Sequence, residues 1–324
     1  MSRLYDRLMI SNLEKEWKDK LKNTIVIDAN NVCEYYFSDT EQEEWDMLKD
    51  FPNLAPPFKN FFIEMKSPKV INSEKYGTIN VQQNETKRWG VHFLARDIND
   101  ITPMWERESS FILQTIKQKM FPINYGENIK WVVFSYLYVE LSNKEVHGPL
   151  GCFLFFVSKN GETIPMGKES GYICILFGKY REKNLKWIEA GGGKIIEKGI
   201  APNFFPAYLA ISFMHCKNVI TEERVPLEKL NKKFRKRHGR DLVRYHVLKI
   251  EPMRKVLKIK GKSDELGIIK ALHICRGHFK DYRQSGLFGK IPGIFWWESH
   301  VRGQKEKGII LKDYEIKKPI QEGK

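Results

Sequence analysis

Apolar positions recur at helical spacing at the start of the chain, where Leu4, Leu8, Met9, Leu13 and Trp17 predict a helix over residues 1–22. Thr24–Asp28 reads as a short buried strand ending in an acid. Residues 41–49 suggest a second short helix, and Leu54–Phe58, with two prolines, a rigid turn before a strand at Phe61–Met65. The polar stretch 73–90 predicts a loop or edge hairpin, and 104–119 a helix. Trp131–Leu141 and Leu150–Val157 are dense in aromatic and β-branched residues and flank the polar turn Ser142–Pro149. Gly171–Phe177 continues that pattern, so 131–177 predicts an antiparallel meander. Asn203–Cys216 is apolar nearly all round, the mark of a buried helix. Pro226–His238 is a strongly basic helix stopped by Gly239, and Asp241–Ile250 alternates like a strand.

These elements predict an α+β fold: a central antiparallel sheet with flanking helices and a C-terminal basic β-hairpin. There is no repeat and no Pro/Ser linker. The chain is read as one domain or as two packed halves meeting near 191–202. Residues 1–190 would carry helices and the meander, and 203–324 the buried helix, the basic segment and the hairpin.

Composition excludes several classes. With 42 % hydrophobic and 13 % aromatic residues in 324, the chain is neither disordered nor collagenous. No stretch approaches the roughly 20 apolar residues that cross a bilayer, and the charged N-terminus is not a secretory leader. Five scattered cysteines without a CxxC pair suit reduced thiols in a cytoplasm, and predict neither a disulfide frame nor a zinc site. No metal and no cofactor is implied. Charge changes the picture more. Lys229–Lys262 holds fourteen Lys and Arg against Asp241 and Glu251, so this segment carries 12 of the 15 net positive charges. It is either a phosphate-binding surface, with Lys232, Lys233, Arg235, Lys236, Arg237, Arg240 and Arg244 as its cations, or a solvated helix face followed by a basic edge strand.

Ala271–Gly303 concentrates the candidate chemistry. Two β-rich runs flank a Gly/Pro loop, and alternation would put Arg276, His278, Lys280 and Tyr282 on one face of the first run. Trp296, Glu298, His300 and Arg302 would share a face of the second. A loop centred near 287–288 makes residues whose numbers sum to roughly 575 lie opposite each other, bringing Arg276 near His300 and His278 near Glu298. Histidine as general acid or base and arginine as phosphate clamp would equip such a face for metal-independent RNA cleavage. Tyr282 and Trp296 could stack on bases, and Lys280, Trp297 and Arg302 are further candidate nucleic-acid contacts. The same residues equally suit a hairpin that binds RNA or protein without chemistry.

This stretch also resembles a known family. His273-Ile274-Cys275-Arg276-Gly277-His278-Phe279, followed by Tyr282, is similar to the H-x-x-R-G-H-[WF] signature near the C-terminus of one type V anti-CRISPR family. Phe295-Trp296-Trp297 and His300-Val301-Arg302-Gly303 match its later aromatic run and basic residues. Met214–Asn218 before a basic stretch, and Pro56-Pro57-Phe58 before Phe62-Ile63-Glu64, resemble its central and early parts. The resemblance implies a mobile-element protein that lowers a host effector by promoting loss of its mRNA during translation. The implied partners are RNA or a ribosome–nascent chain complex, and a CRISPR or other defence effector. The alternative is a protein-interaction module that binds a peptide or an effector without catalysis. Ile25–Asn30 resembles the first strand of PIN-type ribonucleases, whose Asp binds a metal, but a meander at 131–177 fits that fold poorly, so Asp28 is read as a strand terminator. Gly191-Gly192-Gly193-Lys194 lacks the spacing and Ser/Thr of a phosphate-binding loop.

Overall fold

The computed structural model describes residues 3–38, 48–67, 71–73, 77–79, 86–98, 128–164, 173–177, 200–250, 271–275, 278–297, 300–302, 304–311 and 315–317. The helices expected at 41–49 and 104–119 lie outside them, except that Leu48–Asp50 is a 3-10 turn. The chain divides into two compact units, Met1–Met214 with Thr221–Leu248, and His215–Ile220 with Lys249–Lys324. The buried helix and the basic helix thus belong with the N-terminal elements.

The first unit opens with helices α1 (Leu4–Ile10) and α2 (Lys15–Lys20), then strand β1 (Ile25–Asp28) and helix α3 (Asn30–Ser38). The single helix expected over 1–22 is broken at Ser11. Its backbone is extended, and its hydroxyl donates to the Leu8 carbonyl and accepts from the Leu13 N–H, closing one helix and freeing the next. Strands β2 (Asn60–Lys66), β3 (Ile71–Ser73), β4 (Gly77–Ile79), β5 (Thr86–Asp97), β6 (Ile129–Leu141), β7 (Val146–His147), β8 (Gly151–Ser158), β9 (Thr163–Ile164) and β10 (Ile173–Leu176) follow. Then come helix α4 (Phe205–Met214), strand β11 (Val219–Arg224), the basic helix α5 (Glu228–His238) and strand β12 (Tyr245–Ile250).

The main path of the large sheet runs β10-β8-β6-β5-β2-β1-β12-β11. The fold is α+β. The expected meander is β6-β8-β10, antiparallel throughout. Around β1 the sheet turns parallel, because β1 pairs with both β2 and β12 in the same direction. That parallel part was not foreseen, and neither was β5, a 12-residue strand that starts inside the stretch 73–90 expected as a loop or edge hairpin, where β3 and β4 do pair antiparallel.

Alternation gives the sheet two apolar faces. On one, Phe62, His92, Tyr136 and Tyr138 meet α1 and α2, with Tyr5 5.9 Å from Phe62 and Trp17 5.3 Å from Tyr136 between ring centroids. Gly90 belongs to this face because a Cβ there would sit 2.3 Å from Phe62 Cζ. On the other face, Phe204, just before α4, stacks on Phe153, and Tyr208 of α4 packs on Phe155. Every residue of α4 from Phe205 to Phe213 is buried, as its all-round apolarity requires. Ser135 donates its hydroxyl to the Phe153 carbonyl, so the Tyr208 hydroxyl is the donor in its 2.8 Å bond to Ser135.

The second unit holds strands β13 (Ala271–Cys275), β14 (His278–Asp281), β15 (Ile294–Trp297), β16 (His300–Arg302), β17 (Gln304–Leu311) and β18 (Glu315–Lys317). β14 and β15 form the expected hairpin, and β16-β13-β17-β18 a second small sheet. Asn218 acts as an extra rung beside β15. Its Oδ1 accepts from the Trp296 N–H and its Nδ2 donates to the Trp296 carbonyl, at 2.9 and 2.8 Å.

Among the described residues no helix is long and apolar enough to cross a membrane.

Candidate functional site

Asp28 ends β1 and pairs in register with Glu64 of β2, so two carboxylates stand side by side on the α1 face of the sheet. Glu64 is 3 % exposed, and an unpaired charge there would be costly. Arg3 resolves this by placing Nη1 2.8 Å from both Asp28 Oδ2 and Glu64 Oε1. The Tyr5 N–H donates to the other Glu64 oxygen, and the Asn30 N–H to Asp28 Oδ1, which also starts α3. Burial raises the Glu64 carboxyl, and the Arg3 charge opposes that rise. Burial likewise disfavours the Arg3 charge, but the Glu64 and Asp28 carboxylates outweigh it and hold the guanidinium protonated. Arg3 also stands over the Tyr245 ring, its Cζ 3.3 Å from the centroid. Two strands further, on β6, the fully buried Glu140 lies 3.2 Å from Arg7 and 3.3 Å from Arg88.

Above this ionic row opens a cleft of about 310 Å³. Its floor is Arg3, Asp28, Glu64 and Lys66. Its rim is the segment after β11, where Val225 and Leu227 are 63 % and 72 % exposed. Arg3, Asp28 and Glu64 are paired with one another, so both floor carboxylates are engaged, and the cleft offers charge and apolar surface for recognition.

Helix α5 forms the neighbouring surface. Gly239 ends it in the left-handed conformation, φ 69°, and donates its N–H to the Arg235 carbonyl. None of its eleven residues is buried. The expected cations sort by partner. Arg235 is held by both oxygens of Asp241, Lys232 lies 3.7 Å from Glu228, and Arg244 3.8 Å from Glu223. Arg240 stands over the Tyr5 ring. Lys233, Lys236 and Arg237 are exposed and have no acidic partner among the described residues. Beyond residue 250 the basic segment lies outside the described residues.

In the second unit the hairpin register obeys the expected sum of 575 throughout: His278 pairs with Trp297, Lys280 with Phe295, His273 with Arg302 and Cys275 with His300. The partner assignments made from it were one residue out. His300 stands opposite Cys275 rather than Arg276, and His278 opposite Trp297 rather than Glu298. A slip of one residue exchanges faces. Trp296 is therefore turned from the His278/Lys280 face. It is 2 % exposed, packed edge-on against Phe279 at 4.7 Å, and offers no open ring for a base. Trp297 is the tryptophan that shares the Lys280 side, with Lys280 Nζ 4.4 Å above it. Tyr282 packs on Phe295 and Leu287. Arg276 and Gly277 lie outside the described residues, and of His273, His300 and Arg302 only the strand register is described.

No family model, no curated protein and no solved structure matches this chain. Among the described residues no cluster of three His, Cys, Asp or Glu is placed to hold a metal. Asp28 is in use as an ion-pair partner of Arg3. Sequence reasoning missed the ionic cleft. Its signal was Glu64, a lone acid within the apolar run Phe61–Met65, where a buried charge demands a partner.

Proposed function

We propose that the protein is directed at RNA, as a free mRNA or within a translating complex, and lowers a target transcript in the manner of the mobile-element anti-defence proteins its C-terminal motif resembles. The observation that carries this reading is α5, an eleven-residue helix with no buried residue and with Lys233, Lys236 and Arg237 unpartnered by acids among the described residues. A helix kept outside the core with that charge serves a polyanion better than it serves stability. Single-stranded RNA binding should weaken steeply between low and physiological salt. The mRNA of a co-expressed target should fall in cells carrying the chain. Affinity that stays flat with salt, together with unchanged transcripts, refutes the proposal. RNA cleavage by His278, Arg276, His300 and Tyr282 is an optional part of it, tested by incubating purified chain with labelled RNA in EDTA.

The cleft supports a second reading, a module that binds a peptide without chemistry. An internally neutralised ionic floor under the exposed Val225–Leu227 rim suits an extended segment carrying both charge and apolar side chains. Capture of one polypeptide after exhaustive ribonuclease treatment, lost in a Leu227→Asp variant, would favour it.

A further inference from the structure

Helix α5 carries Leu230, Lys233, Phe234, Arg237 and His238 at i, i+3, i+4, i+7 and i+8, which places all five on one stripe. On an ordinary surface helix this is the stripe that packs on the core. Here it borders a groove of about 310 Å³ shared with α1, which contributes Ile10 and Arg7. The groove is at the small end of ligand sites, large enough for one flat ring system. Phe234 is half-buried, and the exposed His238 ring leans on it, centroids 4.6 Å apart and planes 46° apart. Lys233 and Arg237 flank the two rings without an acidic partner among the described residues, while Arg7 is engaged beneath by Glu140.

Two rings with two unpaired cations beside them match a flat aromatic group bearing phosphates. We propose that the α1/α5 groove is a nucleotide subsite for single-stranded RNA: one unstacked base packs against Phe234 and His238, and Lys233 and Arg237 hold the flanking phosphates. The proposal rests on the RNA reading above and sharpens it. An acidic peptide would satisfy the cations but leave both rings unused. A duplex would satisfy the cations but keep its bases stacked inside.

The test uses the full chain and fluorescence anisotropy with a labelled ten-nucleotide single strand, a duplex of the same length and AMP, each over a salt series. Phe234→Leu keeps apolar volume and removes the π-face. It should weaken single-strand binding about tenfold, leave duplex binding unchanged and leave the salt slope unchanged. Phe234→Tyr should bind as the parent does. Lys233→Gln/Arg237→Gln should flatten the single-strand slope by about 0.7 for each phosphate no longer neutralised. Should Phe234→Leu lower the melting temperature, the exposed His238→Ala carries the same comparison. Unchanged single-strand binding in both ring variants, or equal losses for strand and duplex, overturns the subsite while leaving the RNA reading intact. AMP binding as tightly as the strand overturns it in favour of a free-nucleotide site. A parent chain that binds no RNA in a salt-dependent way ends both.

Discussion

His92 makes the first unit acid-sensitive by an amount that can be worked out. It lies on β5 with 0 % exposure. Asn60 donates its Nδ2 protons to the Lys20 and Lys22 carbonyls, so its Oδ1 is the acceptor 2.8 Å from His92 Nε2. The ring is therefore the Nε2–H tautomer. Its Nδ1 faces a buried space with no hydrogen-bond partner among the described residues. Protonation would bury a charge and an unanswered N–H beside Tyr136 and Tyr138, against the positive fields of Lys20 and Arg96. Burial first, and those cations second, push the imidazole down from 6.5 to about 3. The unfolded chain takes up a proton near pH 6.5 and the folded chain does not, so stability falls as pH drops through that window. At roughly 1.4 kcal/mol per pH unit, the loss reaches about 2 kcal/mol at pH 5 and on the order of 5 kcal/mol near pH 3. Hydrogen exchange of the β5 and β6 amides at pH 8, 6 and 5 reads it, after correction for intrinsic exchange. His92→Gln retains a donor for Asn60 and should lose this pH dependence, so parent and variant should converge as pH falls. A stability difference that stays constant from pH 8 to pH 5 would refute the reasoning.

Two further substitutions probe the frame around the cleft. Arg3→Ala leaves Glu64 and Asp28 without their shared cation and should cost on the order of 3 kcal/mol, read as a lower melting temperature; a neutral outcome would mean that the buried carboxyl of Glu64 is held uncharged without help. Gly90→Ala drives a methyl to 2.3 Å from the Phe62 ring and should cost about 1–3 kcal/mol by the same measurement, whereas an unchanged melt would mean that Phe62 can yield.

What could be read from the sequence follows the separation between a residue and its partner. The meander announced itself because Trp131–Leu141 and Leu150–Val157 are apolar enough to be buried on both faces without help, and α4 because it is apolar all round. β5 did not, because Arg88, Gly90, His92 and Arg96, at alternate positions, are interruptions in the apolar character of one of its two faces. Three of these interruptions are resolved by residues distant in sequence: Arg88 by Glu140, Gly90 by the Phe62 ring, His92 by Asn60. Helix α3 was silent for a similar reason. Asn30–Ser38 has little helix propensity, and its start is fixed by the Asp28 side chain from the preceding strand. The parallel placement of β1 could not be read from Ile25–Asp28 at all, since four apolar-rich residues fit either direction. The basic helix was legible to its last residue, because charge density and a terminal glycine are local signals. Which of its cations are matched by acids depends on Glu228 within the helix for Lys232 and on Asp241 beyond it for Arg235.

At the hairpin the loop centre was legible, but the pairing drawn from it was one residue out, and that residue decides the chemistry. With the sum at 575, Cys275 and His300 are Cα partners and Ile274 is the partner of Val301. With the sum at 576, Arg276 would face His300 and Cys275 would face Val301. Directly opposed residues of an antiparallel pair have Cα atoms about 4.5–5.5 Å apart, inside the range a disulfide spans, whereas a neighbour displaced by one residue points its Cβ to the other face. His300→Cys in the full chain should therefore close a bridge to the native Cys275 under mild oxidation, and Val301→Cys should not. Intact mass after thiol alkylation distinguishes the two, and tryptic mapping excludes bridges to Cys33, Cys152, Cys174 or Cys216. The reverse pattern, bridging by Val301→Cys alone, would refute the 575 register. It would also restore Arg276 beside His300, the pairing a phosphate clamp next to a general acid or base requires.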